Sequence, residues 1–381
     1  MIRRSVSPAV DLIPTAPLAT PRQRSIEARR IRKNMLLRML RDNGPLSRTD
    51  LARLLDFNYR STSLLVDELI SRGLVFEEKS HVDQGRGRPP QPIRLNEQAA
   101  TVMGVALDST GGEAMLMDLA GRPVAAVSRR DWIAESSAAR VQLAQVLAAG
   151  IEQSHEGPMP PLAGIGVVMS HVVESVPAMG GDPLRGVRQT PSEDVCSVLS
   201  KAWNVPVFIE SPARAKALAS RWFGVGRRFN TLAYLDLDER PGLGVLMGDQ
   251  LVRGADGLAG EISLLPAFCP NGQTSHPLEL NALSAILSEI AVFFNPEAII
   301  VGSGRKLAEK EAGGAATEGI SEACLRAAFE SRFSADQTGP LARTAVHVCD
   351  LGGRALGLGA VAIVLQRIFH PSPCVVATKS L

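Results

Sequence analysis

The chain has 381 residues, 45% apolar and 21% charged, a globular composition long enough for two or three domains rather than one core. Its five cysteines (Cys196, Cys269, Cys324, Cys349 and Cys374) are scattered and form no CxxC pair, which argues against a disulfide framework and for a reducing compartment. The net charge of +2 hides an asymmetry, because residues 1–100 carry 18 Lys and Arg against 11 Asp and Glu, while the remainder carries 23 against 28.

A basic front on an acidic body points to a polyanion partner for the first hundred residues, with a merely solvated charged face as the bland alternative. No apolar run reaches the roughly eighteen residues that a membrane span needs. The opening MIRR is followed by Asp11, Pro14 and Pro17, which break up any signal-peptide core. A cytoplasmic protein with no membrane contact is the expectation.

Residues 1–24 hold several prolines and no lasting periodicity, and read as a disordered tail. From Ser25 the pattern turns helical, with Ile31, Met35 and Met39 beside Leu36 and Leu40 as an apolar stripe, and it stops at Asn43-Gly44-Pro45. A second helix starts at Ser47, an N-cap with Asp50 three residues on, and is expected to bury Leu51, Leu54 and Leu55. The break Asp56-Phe57-Asn58 leads to a third helix whose apolar residues, Leu64, Leu65, Leu69 and Ile70, all fall in its later turns. Its first turns carry Tyr59, Arg60, Ser61 and Thr62, polar groups with nothing to bury, and Gly73 closes it.

This is the pattern of a helix-turn-helix, in which the start of the third helix enters the major groove. Two short strands, LVFEEK and PIRLN, then flank a Gly/Arg/Pro tip, which reads as a β-wing. Residues 25–98 are therefore expected to form a winged helix-turn-helix that binds double-stranded operator DNA. Ser47, Arg48, Asn58, Tyr59, Arg60, Ser61 and Thr62 are the candidate contacts, with Arg86 and Arg88 in the wing reaching the minor groove or the phosphates.

From residue 100 strands and helices alternate, from VMGVALD through LAGIGVVMS, VPVFIES, TLAYLDLD and AIIVGSG to the closing helix ALGLGAVAIVLQRIF. That alternation implies mixed α/β layers, and the length of the segment suggests two lobes.

The winged unit followed in order by GVALDSTGG, IESPARAKALASRWFG, LVRGADGLAGEI and NPEAIIVGSG resembles the ROK family of repressors, open reading frames and sugar kinases, over roughly residues 25–370. SRTDLARLL and the GRGRPP wing resemble its repressor branch. The resemblance implies an α/β body of two actin/hexokinase-like (ribonuclease H-like) lobes, with ligand in the cleft, and a homodimer or tetramer that answers to sugars. Lobe 1 is expected over residues 99–212, completed by a C-terminal helix at 355–381, and lobe 2 over 213–354.

In the family's kinases the base is the Asp of a motif like E-N-D-A-N-A. The matching stretch here is Glu210-Ser211-Pro212-Ala213-Arg214-Ala215, and Pro212 has no group that accepts a proton. At the second glycine loop stand Asp238, Glu239 and Pro241, which repel phosphate or lack an N–H donor; at the first, Asp108-Ser109-Thr110-Gly111-Gly112 keeps an acid and glycines, equally well explained as a hairpin turn. Phosphoryl transfer is not expected, and neither is a catalytic residue or a cofactor.

The family's zinc motif is reduced to Cys269 and His276, and two ligands do not hold a structural zinc, so no metal is expected. Of the family's sugar contacts Glu261 and Glu279 persist, with Glu210 and Ser211 beside them, and these four are the candidate contacts for a sugar or sugar-derived effector. Two alternatives stay open: a sugar kinase with a winged extension, and a regulator of this kind with no sugar effector.

Overall fold

A computed structural model describes residues 7, 9–13, 21–78, 91–132, 136–155, 157, 159–169, 173–175, 187–189, 193–238, 241–255, 257–262, 280–302, 308–310, 316–319, 321–332 and 343–370. Its first long helix, α1 (Pro21–Asn43), ends at Gly44, whose φ of +77° supplies the left-handed residue that closes a helix C-terminus. α2 (Arg48–Leu54) and α3 (Tyr59–Ser71) follow, joined by a tight turn in which Asp56 has a φ of +52°. Strands β1 (Val75–Glu77) and β2 (Ile93–Leu95) pair antiparallel, and Leu46 bridges to Ile93, so the strand pair is tied to the entry of α2.

The body contains two five-stranded sheets of the same design. In the first, β3 (Thr101–Asp108), β4 (Gly111–Asp118) and β5 (Pro123–Arg129) form an antiparallel meander. β6 (Leu162–Met169) runs parallel to β3, and β9 (Val207–Glu210) parallel to β6, giving the order β5-β4-β3-β6-β9. A two-stranded ribbon, β7 (Val173–Ser175) with β8 (Val187–Gln189), lies between β6 and β9 in the chain.

The second sheet repeats the plan with β10 (Thr231–Asp236), β11 (Gly242–Met247), β12 (Gln250–Leu251), β13 (Ala298–Gly302) and β16 (Ala345–Val348), in the order β12-β11-β10-β13-β16. A short ribbon of β14 (Ala308–Lys310) and β15 (Ala316–Gly319) precedes β16.

Each sheet is covered on one face by its own helices. α4 (Ser137–Ser154) and α5 (Glu193–Trp203) pack on the first through Leu143, Leu147, Val195 and Leu199. α7 (Leu280–Phe294) and α8 (Glu322–Glu330) pack on the second through Leu283, Leu287, Leu325 and Phe329. Between the sheets lie α6 (Pro212–Phe223), against β10 and β11, and α9 (Ala355–Phe369), against β3 and β6, and these two helices pack on each other. The approach is close: a Cβ on Gly166 would meet the Ala360 carbonyl oxygen at 1.9 Å, and one on Gly359 the Ala215 backbone at 2.7 Å. Residues 352–369 are apolar and long enough to span a bilayer by composition, but they are this interlobe core helix and are largely buried.

Three expectations need correction. Residues 1–24 are not all tail: Ala9, Leu12 and Ile13 are buried, the Leu12 carbonyl accepts a 2.9 Å bond from Asn34 Nδ2, and α1 starts at Pro21. The apolar side chains of this segment find a groove between α1 and the first sheet that its prolines concealed. The stripe of α1 is also rotated, since Leu36, Leu37 and Leu40 are buried while Met35 is 36% exposed. Leu54 and Leu64, read as core, are exposed. The buried set of the head continues into the body, from Leu36 and Leu40 to Trp222 and Phe369, so the two share one apolar cluster.

Candidate functional site

At the head, local hydrogen bonding fixes the start of α3. Asn58 is its N-cap, and Oδ1 accepts from the backbone N–H groups of Arg60 (2.8 Å) and Ser61 (3.4 Å). Ser47 caps α2, accepting from Asp50 N at 3.1 Å and donating to Asp50 Oδ2 at 2.7 Å. Both side chains are spent on caps.

Thr62 is fully buried and donates to the Asn58 carbonyl at 3.1 Å, so it faces the core rather than a partner. Arg48 lies 2.7 Å from Asp67 and 2.8 Å from Glu77, and donates to the Ser63 hydroxyl at 2.7 Å. Its charge is neutralised within the head, which removes it from the contact set. What stands clear on the face of α3 is Tyr59, Arg60 and Ser61, followed one turn later by Leu64, 56% exposed. Sequence reasoning missed Leu64, although the i, i+4 spacing from Arg60 places it on that face. Arg86 and Arg88 lie outside the described residues.

In the body the cleft is occupied by ion pairs. Glu210, at the end of β9 and buried, accepts from Arg214 Nε at 2.6 Å through one oxygen and from Arg253 Nε at 2.9 Å through the other. Arg214 in turn donates to the carbonyls of Gly257 (2.8 Å) and Ala259 (2.9 Å), and lies 3.9 Å from Glu261. Burial pushes the Glu210 carboxyl up, but Arg253 and Arg214 outweigh it and hold the pKa below its usual value.

Glu210 is thus committed on both oxygens and does not reach for an effector, contrary to expectation. Ser211 is the N-cap of α6 and buried, with no side-chain cap bond, and Pro212 takes the first helical position, where proline's missing N–H costs nothing. Glu261 remains partly exposed at the cleft. Glu279, Cys269 and His276 lie outside the described residues, and among the described residues no three His, Cys, Asp or Glu come together to hold a metal.

Both glycine loops are closed in the same way. In the first, Asp108 accepts from the Thr110 N–H and hydroxyl, both at 2.8 Å, and from Arg130 at 2.5 Å. Glu113 sits at the N-terminus of α9, where Oε1 accepts from Gly357 N at 2.9 Å, a place where a helix would otherwise offer N–H groups to phosphate. The glycines have a packing reason, since a Cβ on Gly111 would lie 2.0 Å from the Arg129 carbonyl oxygen. In the second, the buried Lys216 ammonium binds Asp236 at 2.8 Å and Asp238 at 2.6 Å. Burial lowers the pKa of Lys216, yet the two aspartates outweigh it and raise it. Sequence reasoning missed Arg130, Arg214, Lys216 and Arg253, although the last three lie inside the quoted motifs.

The sequence model of the ROK family matches residues 185–276. The xylose repressor of Caldicellulosiruptor bescii is 29% identical over 237 residues, 61% of this chain and 58% of that protein. The xylose repressor of Bacillus subtilis is 27% identical over 234 residues, 61% of this chain and 60% of its own length. Both the family model and these relatives make this chain similar to ROK family proteins. The repressor names of these relatives favour the family's repressor branch, and the chain spans less than two thirds of their length. A solved ROK family transcriptional regulator, described as a homologue of the E. coli MLC protein, superposes with a TM-score of 0.62 at 16% identity, over 90% of this chain and 97% of that one, which shows a shared fold.

Proposed function

We propose that this ROK protein is a DNA-binding transcription regulator, a repressor, that works in the cytoplasm as a homodimer or tetramer on a two-fold operator. The observation that carries this reading is the start of α3, where two N-caps and the buried Thr62 fix the backbone and leave Tyr59, Arg60 and Ser61 exposed. Arg60 is the side chain for a guanine edge or a phosphate, and Leu64 suits a thymine methyl. The repressor names of the two relatives support the same reading.

The body serves as a sensor and a frame rather than a kinase. Pro212 stands where a base is needed, Glu113 occupies the α9 N-terminus, and Asp108 and Asp238 are tied to Arg130 and Lys216. An effector in the cleft would meet Glu261 with Glu210 held behind it by two arginines. Opening the lobes would then reach the head through Arg38 of α1, whose guanidinium lies 2.6 Å from Asp249 in the β11–β12 turn.

The test is fluorescence anisotropy on the DNA upstream of the protein's own gene, as a function of salt and with a panel of sugars. Arg60→Ala is expected to weaken binding by about 1–3 kcal/mol and, if the contact is a phosphate, to flatten the salt slope by about one. Unchanged affinity in that variant would overturn the assignment of α3 as the reading helix.

A further inference from the structure

A cavity of about 570 Å³ lies where the head meets the body, between the end of α1, the start of the connector after β2, the β4–β5 turn and the ends of α6 and α9. Five arginines line it, Arg41 and Arg94 from the head, Arg122, Arg221 and Arg227 from the body, against two carboxylates, Asp42 and Glu97. Glu97 is taken by Arg122 at 2.5 Å, and Asp42 lies 3.5 Å from Arg38 and 3.7 Å from Arg41. Arg227 is exposed and pairs with no carboxylate among the described residues. Arg221 makes a long 3.3 Å contact to Asp249, and its Nε is buried without a hydrogen-bond partner.

Arg41 is the least exposed of them. Its guanidinium stacks 3.8 Å above the Trp222 ring and 5.2 Å from the Phe369 ring centroid, and Trp222 is itself held by a 2.9 Å bond from Nε1 to Gln366. Burial first, then the neighbouring Arg227, Arg221 and Arg38, push its pKa down to about 10, with Asp42 only partly offsetting them. A guanidinium is hard to deprotonate, so a shift of that kind reports an excess of positive charge in a poorly solvated space.

We infer that this cavity is a binding site for a small phosphate-bearing anion, such as a phosphate monoester or a diphosphate, held by Arg41, Arg221 and Arg227 beside Trp222. The planar forks of arginine match phosphate oxygens in pairs, and the volume is that of a small-molecule site. The lining comes from the head and from the body, so the bound anion neutralises both walls and fixes the head's position on the body. The site is separate from the cleft between the sheets and does not depend on the DNA-binding reading above.

The experiment titrates the full-length protein with pyrophosphate and, separately, with glucose 6-phosphate, at constant ionic strength set with sodium chloride. Tryptophan emission and melting temperature are followed in the wild type, Arg227→Gln, Arg41→Met and, as a control on α8, Arg326→Gln. Saturable binding that raises the melting temperature is expected for one or both probes, and the tighter of them shows whether the site reads the phosphate alone or also the body that carries it. Arg227→Gln, an exposed change that leaves the core intact, is expected to weaken that binding at least tenfold, with Arg41→Met following it and Arg326→Gln unchanged.

Emission that changes with added probe without saturating, or equal affinity in Arg227→Gln, would overturn the proposal. So would a third result, in which neither probe binds but Arg227→Gln loses affinity for a non-specific DNA duplex, because the arginines would then belong to a DNA backbone contact.

Discussion

Arg214 and Arg41 are both largely buried arginines, and the protein treats them in opposite ways. In the cleft, Arg214 has Glu210 at 2.6 Å, two carbonyl oxygens within 2.9 Å and Glu261 nearby, so its donors are met by the fold itself. At the head–body junction, Arg41 has aromatic faces, a carboxylate 3.7 Å away and three other arginines around it. A buried charge without partners is costly, and removing one member of a compensated pair is costlier still. The arginines of the cleft are therefore compensated by the fold, whereas those of the junction keep charge to offer a ligand.

The sharpest way to break this comparison is to remove Arg214. Arg214→Met strands Glu210 in the core with Arg253 alone, and urea denaturation is expected to show a loss of about 3–5 kcal/mol. The double variant Glu210→Gln/Arg214→Met should recover part of that loss, because no uncompensated charge remains. A loss under about 1 kcal/mol in the single variant would mean that Arg214 is not the clamp of the cleft.

A smaller effect is expected where head and body meet through Asp249. Its carboxylate lies 2.6 Å from Arg38, 3.0 Å from His370 and 3.3 Å from Arg221. Burial raises its pKa, but His370, Arg38 and Arg221 together hold it well below the usual 3.8. A depressed carboxyl stabilises the fold above its unfolded pKa, and that stability drains away as pH falls below about 4. His370 is depressed from 6.5, chiefly by burial, so its contribution is lost as pH falls through its lowered folded value. Asp249→Asn is expected to lose about 1.5–3 kcal/mol at neutral pH and to flatten the acid limb of a stability–pH profile. An unchanged acid limb would show that the junction is held by its apolar contacts alone.

How much of this was legible follows from how far each interaction reaches along the chain. The three head helices, their caps at Ser47 and Asn58 and the closing Gly73 rest on neighbours within four residues, and a linear reading finds them. The face of α1 does not. Lys33 and Asn34 are buried because they meet Glu68, 35 residues away, and the Leu12 carbonyl, 22 residues back. In the cleft, Pro212 and its neighbours lie within one motif, which a linear reading also finds. The ion-pair network around Glu210 is not found that way, since Arg214 closes on Gly257 and Ala259, and Glu210 on Arg253, some forty residues further on. The duplicated sheet order is likewise a matter of pairing, which strand patterns alone leave open.

The smallest expected effect tests the open half of the comparison. With its pKa lowered from 12.5 to about 10, Arg41 belongs to the groups whose stabilising contribution is present at high pH and lost as pH falls through the folded value. At neutral pH its charge therefore weighs against the fold, and Arg41→Met removes that burden together with a stacking contact of about 0.5–2 kcal/mol. In phosphate-free buffer at pH 7.5 the two oppose each other, so Arg41→Met is expected to cost far less stability than Arg214→Met, or none. Urea denaturation of both variants side by side measures the contrast. If Arg41→Met loses as much as Arg214→Met, the junction guanidinium is compensated by the fold after all, and the cavity beside Trp222 has no charge left to offer a ligand.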